Sequence, residues 1–325
     1  MNKMLFGIVF SFFWSSAFIA GKYALSYLPP LSFLSLRFLL AGIIFLGAYK
    51  LFHNIQSQAD QCKTEKTTIK TPFFNKMLWR DAMILGLLNY TLYIGLSYSG
   101  LRYLTPELVV LIVSTTPFVT VFAQSCISKT WSKFLWFSIF IGFWGVAIVL
   151  VSRMGGVSGL IAQLQNPSVD NTFVIGVMWV LLSVLASATG ALYYQYVAYS
   201  HNAVVLTGLQ NLGAGIMLLP FISLVAWRQA LDAPIFIASL LYQVVLVSGV
   251  AMLMWLQLIR WFGSGYASAF HLLNPIFATL LSVWLFDIEL SVSDIIGTLM
   301  VVFAMGLVSL DLAKTKKLPF NVKQT

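Results

Sequence analysis

The chain has 325 residues, of which 59% are hydrophobic and only 9% charged, and its mean hydropathy is +0.89. Soluble domains carry about 25% charged residues, and a soluble globule of this make-up would expose large apolar patches and aggregate. The formal net charge of +9 does not point to nucleic acid, because Lys and Arg fall mainly in particular loops between apolar runs.

A membrane-spanning helix needs about 20 apolar residues, and runs of that kind recur along the chain. Backbone groups in lipid must pair internally, which leaves helices or a closed barrel. The runs are continuous rather than alternating, so helices are expected. The first covers Met4 to Ser26. It is too long for the apolar core of a signal peptide and lacks a small-residue cleavage site, so it reads as an uncleaved span. Pro29-Pro30 makes a turn, and the second span runs from Leu31 to Phe52. A polar linker from His53 to Arg80 carries Lys63, Lys66, Lys70, Lys76 and Arg80 against Asp60 and Glu65, and reads as a mobile connection rather than a domain.

The third span is expected over Asp81 to Leu101, the fourth over Thr105 to Ile127 and the fifth over Lys133 to Ser152. Met154 to Asn171 is a polar, Gly-rich connection. The sixth span covers Thr172 to Tyr199, the seventh Ala203 to Trp227 and the eighth Phe236 to Trp261. The ninth covers Gly265 to Phe286 and the tenth Val292 to Leu312, followed by a tail with Lys314, Lys316, Lys317 and Lys323. The expected fold class is therefore all-α: a polytopic membrane protein with ten transmembrane helices.

Two stretches organise these spans. Leu101 to Ser128 opens on Arg102-Tyr103-Leu104 and contains Pro117; Ile259 to Phe286 opens on Arg260-Trp261-Phe262 and contains Pro275. Both pairs share one offset (260 − 102 = 158 and 275 − 117 = 158). Ala41-Gly42-Ile43 also echoes Ala214-Gly215-Ile216. Such self-similarity suggests a chain built twice. Five spans per copy make the second half enter the membrane from the opposite side, giving an inverted repeat with a substrate site between the halves.

Orientation follows from Lys and Arg near the ends of the spans. With both termini inside, the cytoplasmic side carries 14 of them: Lys3, Lys50, Lys63, Lys66, Lys70, Lys76, Arg80, Lys129, Lys133, Arg260 and the four tail lysines. The other side carries 5: Lys22, Arg37, Arg102, Arg153 and Arg228. Cys62 and Cys126 fall on the reducing side and are expected to be free thiols.

At this point the sequence resembles the EamA-type transporters of the drug/metabolite transporter superfamily. The residues that carry the resemblance are Phe13-Trp14-Ser15-Ser16-Ala17-Phe18, then Tyr27-Leu28-Pro29-Pro30 to Leu36-Arg37-Phe38-Leu39-Leu40-Ala41-Gly42. Leu273-Asn274-Pro275-Ile276-Phe277-Ala278, and Glu289 with Gly297, complete it. The Gly-Glu pair common in the family's first half is replaced by Ser128-Lys129-Thr130-Trp131. The resemblance implies a first EamA-like repeat over residues 1–153, including the linker 53–80, a periplasmic connection 154–171, a second repeat 172–312 and a basic cytoplasmic tail 313–325. It also implies export or exchange of small metabolites, amino acids or drug-like solutes across a bacterial inner membrane. A passive channel-like facilitator of the same fold, or a non-transporting receptor or assembly subunit, remains the alternative. The sequence does not set the oligomeric state, and a homodimer is one option.

No Asp or Glu lies in the middle of a span, and Glu107 sits at the end of the fourth. Intramembrane carboxylates are the usual proton relays, so coupling through them is not expected. There is no paired-Asp motif, no His/Glu metal spacing and no Ser-His-Asp arrangement, so catalytic residues, metals and cofactors are not expected. Pro117 and Pro275 free the carbonyls of Val113 and His271; they are either packing kinks or a matched pair flanking a site. The candidate substrate-binding residues are Trp14 and Ser15 in the first span, Asn89 and Tyr93 in the third, on a stripe that continues to Ser97, and Ser187 and Tyr194 in the sixth. Trp255 in the eighth and His271 and Asn274 in the ninth complete the set. Stripes of this kind also serve as helix-packing seams. Lys22 reads as a snorkelling interface residue or a partner for a substrate carboxylate, and Arg37 as an outer-interface anchor. His271, whose unperturbed pKa of about 6.5 lets it change charge near neutrality, is the coupling candidate. The bland alternative for it is a histidine bonded to a neighbouring helix.

Overall fold

The structure, a computed structural model, describes residues 3–60, 76–129, 133–165, 171–197, 202–255, 257–258, 261 and 269–314. Cys62, Lys63, Glu65, Lys66, Lys70, Arg260, Gly265, Lys316, Lys317 and Lys323 lie outside the described residues. Among the described residues every regular element is helical. Six helices are long and apolar enough to cross a membrane, and shorter apolar helices cover Val204–Met217, Asn274–Phe286 and Val292–Leu307. The molecule is an all-α, multi-pass membrane protein.

In chain order, α1 is Lys3–Ala24 and α2 is Pro30–Asp60. Next, α3 (Lys76–Leu85) runs through a π-helical stretch, Gly86–Leu92, into α4 (Tyr93–Leu101). The helices α5 (Pro106–Val113) and α6 (Thr116–Ser128) follow, separated by Ser114 and Thr115. Then come α7 (Lys133–Arg153), α8 (Gly156–Gln165), α9 (Thr172–Val197), α10 (Ala203–Met217) and α11 (Leu224–Leu231). A second π-helical stretch, Tyr242–Ala251, extends α12 (Pro234–Leu241) into helical turns at 252–255. A 3-10 turn, Ala269–Leu273, leads into α13 (Asn274–Phe286), and α14 is Val292–Lys314.

Local chemistry sets these starts. Proline, whose missing N–H costs nothing in a first turn, stands first or second in α2, α5, α6, α12 and α13. Asn202 caps α10 by accepting from the Val204 and Val205 N–H groups, and Ser223 caps α11 by accepting from Ala226. Three sequence expectations are corrected. The polar linker does not begin at His53, because α2 continues to Asp60, and Lys76 and Arg80 already belong to α3. The connection 154–171 holds a helix of its own, α8. The stretch Ala203 to Trp227 is not one span: Pro220 sits in the Leu219–Phe221 turn, where it cannot extend the α10 hydrogen-bond ladder, and α11 restarts after it.

The 158-residue offset reaches well beyond the prolines. Both α6 and α13 have 13 residues with proline second. Each ends on a left-handed residue, Lys129 at φ 54° and Asp287 at φ 49°, which are the non-glycine residues with positive φ among those described (287 − 129 = 158). The two π stretches fall at nearly the same separation. Packing is matched in the same way. Helix α1 packs on the π stretch Tyr242–Ala251 and on α13, and α9 packs on Gly86–Leu92 and on α6. Helix α2 lies against α10, and α7 against α14. A Cβ at Gly42 would fall 2.7 Å from the Leu212 amide nitrogen, and one at Gly215 would fall 2.8 Å from that of Leu39. Only glycine admits so close a crossing. On the outer face, α7 presents Phe134, Trp136, Phe137, Phe140 and Trp144 outward, as a helix facing lipid does.

Candidate functional site

A cavity of about 60 Å³ lies between α1, α2, α4 and the two π stretches. Its walls are Trp14, Ala17 and Phe18 from α1 and Arg37 from α2. Tyr90, Tyr93, Ile94 and Tyr98 face it from Gly86–Leu92 and α4, and Val247, Ser248 and Met252 from the far side. A π turn bonds i to i+5 and slips the side-chain register against the ordinary helix. The face turned to the cavity is Tyr90, Tyr93, Ile94 and Tyr98, so of the expected stripe of Asn89, Tyr93 and Ser97 only Tyr93 lines it. Ser97 instead donates to Ser183 Oγ of α9 at 2.8 Å, and Ser183 donates to the Val180 carbonyl. Asn89 packs on Gly190, where an added Cβ would collide with its Oδ1.

One end of the cavity is closed by a polar network. The Tyr98 hydroxyl donates to the Ala17 carbonyl at 3.0 Å and accepts from Gln243 Nε2 at 2.7 Å and from Arg37 Nη1 at 3.4 Å. That fills the one donor and two acceptor places of a hydroxyl. Gln243 Nε2 also reaches the Ala17 carbonyl, at 2.5 Å. Arg37 Nη2 lies 3.4 Å from Ser248 Oγ, and Arg37 Nε has no partner. Arg37 is 4% exposed, so the expectation of an outer-interface anchor is wrong. Seven residues into α2, its side chain turns inward between helices instead of outward to the headgroups.

The other end is aromatic. His271 stands among Phe10, Trp14 and Trp255, with ring centroids at 5.3, 5.6 and 4.9 Å. Asn274 Nδ2 lies 2.9 Å from His271 Nδ1. With the amide donating, the ring proton sits on Nε2. Ser11 Oγ shares its proton between the carbonyls of Gly7 at 3.0 Å and Phe270 at 2.6 Å. Ser15 Oγ does the same with Ser11 at 2.8 Å and Asn274 at 3.1 Å. These bonds fasten α1 to the break before α13.

A model of the EamA-like transporter family matches residues 1–151 and again 174–310. The chain belongs to that family. Two curated relatives of the EamA-like chain are themselves named as transporters. It is 26% identical over 307 residues to the uncharacterized transporter YvbV of Bacillus subtilis, covering 91% of this chain and 88% of that one. It is 24% identical over 311 residues to the uncharacterized inner membrane transporter YedA of Escherichia coli, covering 94% and 90%. One crystal structure, described only as that of a protein, shares the fold with a TM-score of 0.53 at 15% identity over 97% of this chain and 99% of that one.

In this EamA-like transporter the structure brings together part of the expected site. Trp14 and Tyr93 line the cavity. Ser15, Trp255, His271 and Asn274 are not part of its wall; they gather behind Trp14, which His271 touches. Ser187 lies on α9 away from these walls, and Tyr194 packs with Leu78, Ala82, Leu85 and Leu206 near the end of α9. Sequence reasoning missed Arg37, Tyr90 and Tyr98. The available signal was a tyrosine stripe at 90, 94 and 98 broken only by Ile94, and an arginine well inside an apolar run. Lys22, left open between two roles, donates to the Leu101 and Leu104 carbonyls at 2.7 and 3.0 Å. A cation at a helix C-terminus is favourable there, and these bonds use two of the three ammonium donors. The carbonyl freed by Pro117 is also accounted for: Thr116 Oγ1 donates to Val113 O at 2.7 Å.

Proposed function

We propose that the protein is an alternating-access carrier of ten spans, built as two inverted five-helix repeats, which exports or exchanges small metabolites, amino acids or drug-like solutes. The observation that carries this reading is the matched pair of interrupted helices. Residues 116–128 and 274–286 share length, proline position and left-handed end, and each packs on the first helix of the opposite half, α9 or α1. Inverted repeats with broken helices around a central site are the usual architecture of secondary carriers. The cavity supports a carrier over an open channel. At about 60 Å³ it is far below the roughly 300 Å³ of a typical occupied pocket, so a solute enters only when the walls move.

The orientation we propose is both termini cytoplasmic, from 14 Lys and Arg inside against 4 outside once the buried Arg37 is set aside. The solute would contact Trp14 and Tyr93 in the cavity, with His271 as coupling candidate. Purified protein in vesicles should show saturable counterflow of a transported solute; a linear, unsaturable leak would select the facilitator, and absence of any flux the receptor reading. Topology is read in intact cells with Cys62 and Cys126 replaced by Ser. Gln165→Cys should react with an impermeant thiol reagent and Gln58→Cys should not, while equal labelling breaks the ten-span arrangement.

A further inference from the structure

We propose that the cavity takes a small monocarboxylate with an apolar or aromatic body, its carboxylate seated on Arg37. This deepens the transport reading by naming the class of solute. A guanidinium remains charged in proteins, and this one is 4% exposed and part of the cavity wall. Its hydrogen-bond partners are two neutral hydroxyls at 3.4 Å, Tyr98 and Ser248, and its Nε has none. Among the described residues the carboxylates in ion pairs serve other arginines: Asp81 pairs with Arg80, and Glu107 and Asp294 with Arg153. A buried charge without a counter-ion is costly, and here the open space beside it is the place where a counter-ion fits.

The rest of the wall narrows the anion. It holds one cation, so a dianionic phosphate would leave a negative charge uncompensated among aromatic rings. It holds no Asp or Glu, so the ammonium of a zwitterion or a cationic drug would lack an ionic partner. Lys22, in the last turn of α1, is held by the end of α4. The planar fork of a guanidinium matches a carboxylate with two parallel bonds. Trp14, Phe18, Tyr90 and Tyr93 supply an apolar bed for the body of the acid.

The test is calorimetric binding of phenylacetate, phenylacetamide, phenethylamine and inorganic phosphate to the purified protein. Phenylacetate should bind at least about tenfold more tightly than its amide, as expected for a charge-assisted pair, and the amine and phosphate more weakly still. Arg37→Gln should erase the preference for the acid. Ser248→Ala, which keeps the arginine, should weaken the acid and leave the amide unchanged; this comparison and the acid-against-amide ratio on the unaltered protein stand even where Arg37→Gln does not fold. Equal binding of acid and amide, preference for the amine or phosphate, no measurable acid binding, or acid binding indifferent to Arg37→Gln would each overturn the proposal. Failure of the transport reading is separately visible: Arg37-dependent acid binding without flux in vesicles removes transport and leaves the site. Saturable flux of amines or neutral solutes that ignores Arg37→Gln removes the site and leaves transport.

Discussion

The two interrupted helices share one backbone and have different surroundings. At the first break, the polar side chains turn onto their own segment. Ser114 Oγ donates to Val110 O, Thr115 Oγ1 to Ile112 O and Thr116 Oγ1 to Val113 O, each at 2.7 Å. At the second break the bonds come from elsewhere. Ser11 and Ser15 of α1 reach Phe270 O and Asn274 O, and His271 stands against aromatic rings of α1 and the eighth span. The first kink is thus bonded within itself, and the second is bonded to α1, the helix that carries Trp14 into the cavity, at carbonyls on either side of the one Pro275 frees. Similar geometry does two jobs according to which chain supplies the missing donors. The second break is the one bonded to a helix of the cavity wall.

The largest expected effect follows from His271, which has no polar counterpart in the first break, where Val113 occupies the equivalent place at the 158-residue offset. Gln keeps a hydrogen-bonding group toward Asn274 and cannot titrate. If His271 couples transport to protons, His271→Gln should abolish uphill accumulation and flatten the pH profile of uptake, while one-for-one exchange continues. Uptake measured against pH in vesicles with an imposed proton gradient decides this. An unchanged profile with unchanged affinity returns His271 to a structural role and makes the two breaks equivalent in function.

The prolines sharpen the comparison at a smaller scale. Replacing either by Ala restores a backbone donor and lets the helix close across the break. A helical hydrogen bond is worth about 1 kcal/mol net, which biases a two-state equilibrium about fivefold. Pro275→Ala should therefore change flux about fivefold with expression near normal. Pro117→Ala should change it less, because the hydroxyls of Ser114, Thr115 and Thr116 already bridge that break. Equal losses from the two variants would place both breaks at the cavity.

The parts of this arrangement that were legible in the sequence are those written in backbone chemistry. Proline position, apolar run length and the shared offset gave the helices, their interruptions and the pairing of residues 117 and 275. Glycine signalled the crossing of α2 on α10, since Ala41-Gly42-Ile43 and Ala214-Gly215-Ile216 meet reciprocally there. The cavity wall was only half legible. Asn89, Tyr93 and Ser97 have the same four-residue spacing as the lining residues Tyr90, Ile94 and Tyr98, so helical periodicity did not decide which of the two faces turns inward. Arg37 was misassigned because loop-charge counting treats every arginine near a span end as an anchor. Whether its side chain turns to headgroups or to Tyr98 depends on packing against α4 and the eighth span, which no local pattern encodes. The helix α8 and the stop at Pro220 were missed for a simpler reason, since hydropathy alone blurs short amphipathic helices into loops or into neighbouring spans.

The smallest expected effect separates stability from transport at the two breaks. Thr116→Val is nearly isosteric and removes the hydroxyl on Val113 O, while Ser11→Ala removes the one on Phe270 O. Polar side-chain bonds between or along helices in membranes are worth about 0.6 to 2 kcal/mol, so each variant should lower stability by about 1 kcal/mol. Their transport should differ. Thr116→Val leaves every contact between helices in place and should transport like the parent. Ser11→Ala loosens α1 from the second break while Ser15 still holds Asn274 O, so a modest change in flux should accompany the same loss of stability. Thermal midpoints and initial rates measured side by side on the two variants check this. A Thr116→Val variant that loses transport as Ser11→Ala does would show that the first break, too, answers to the cavity.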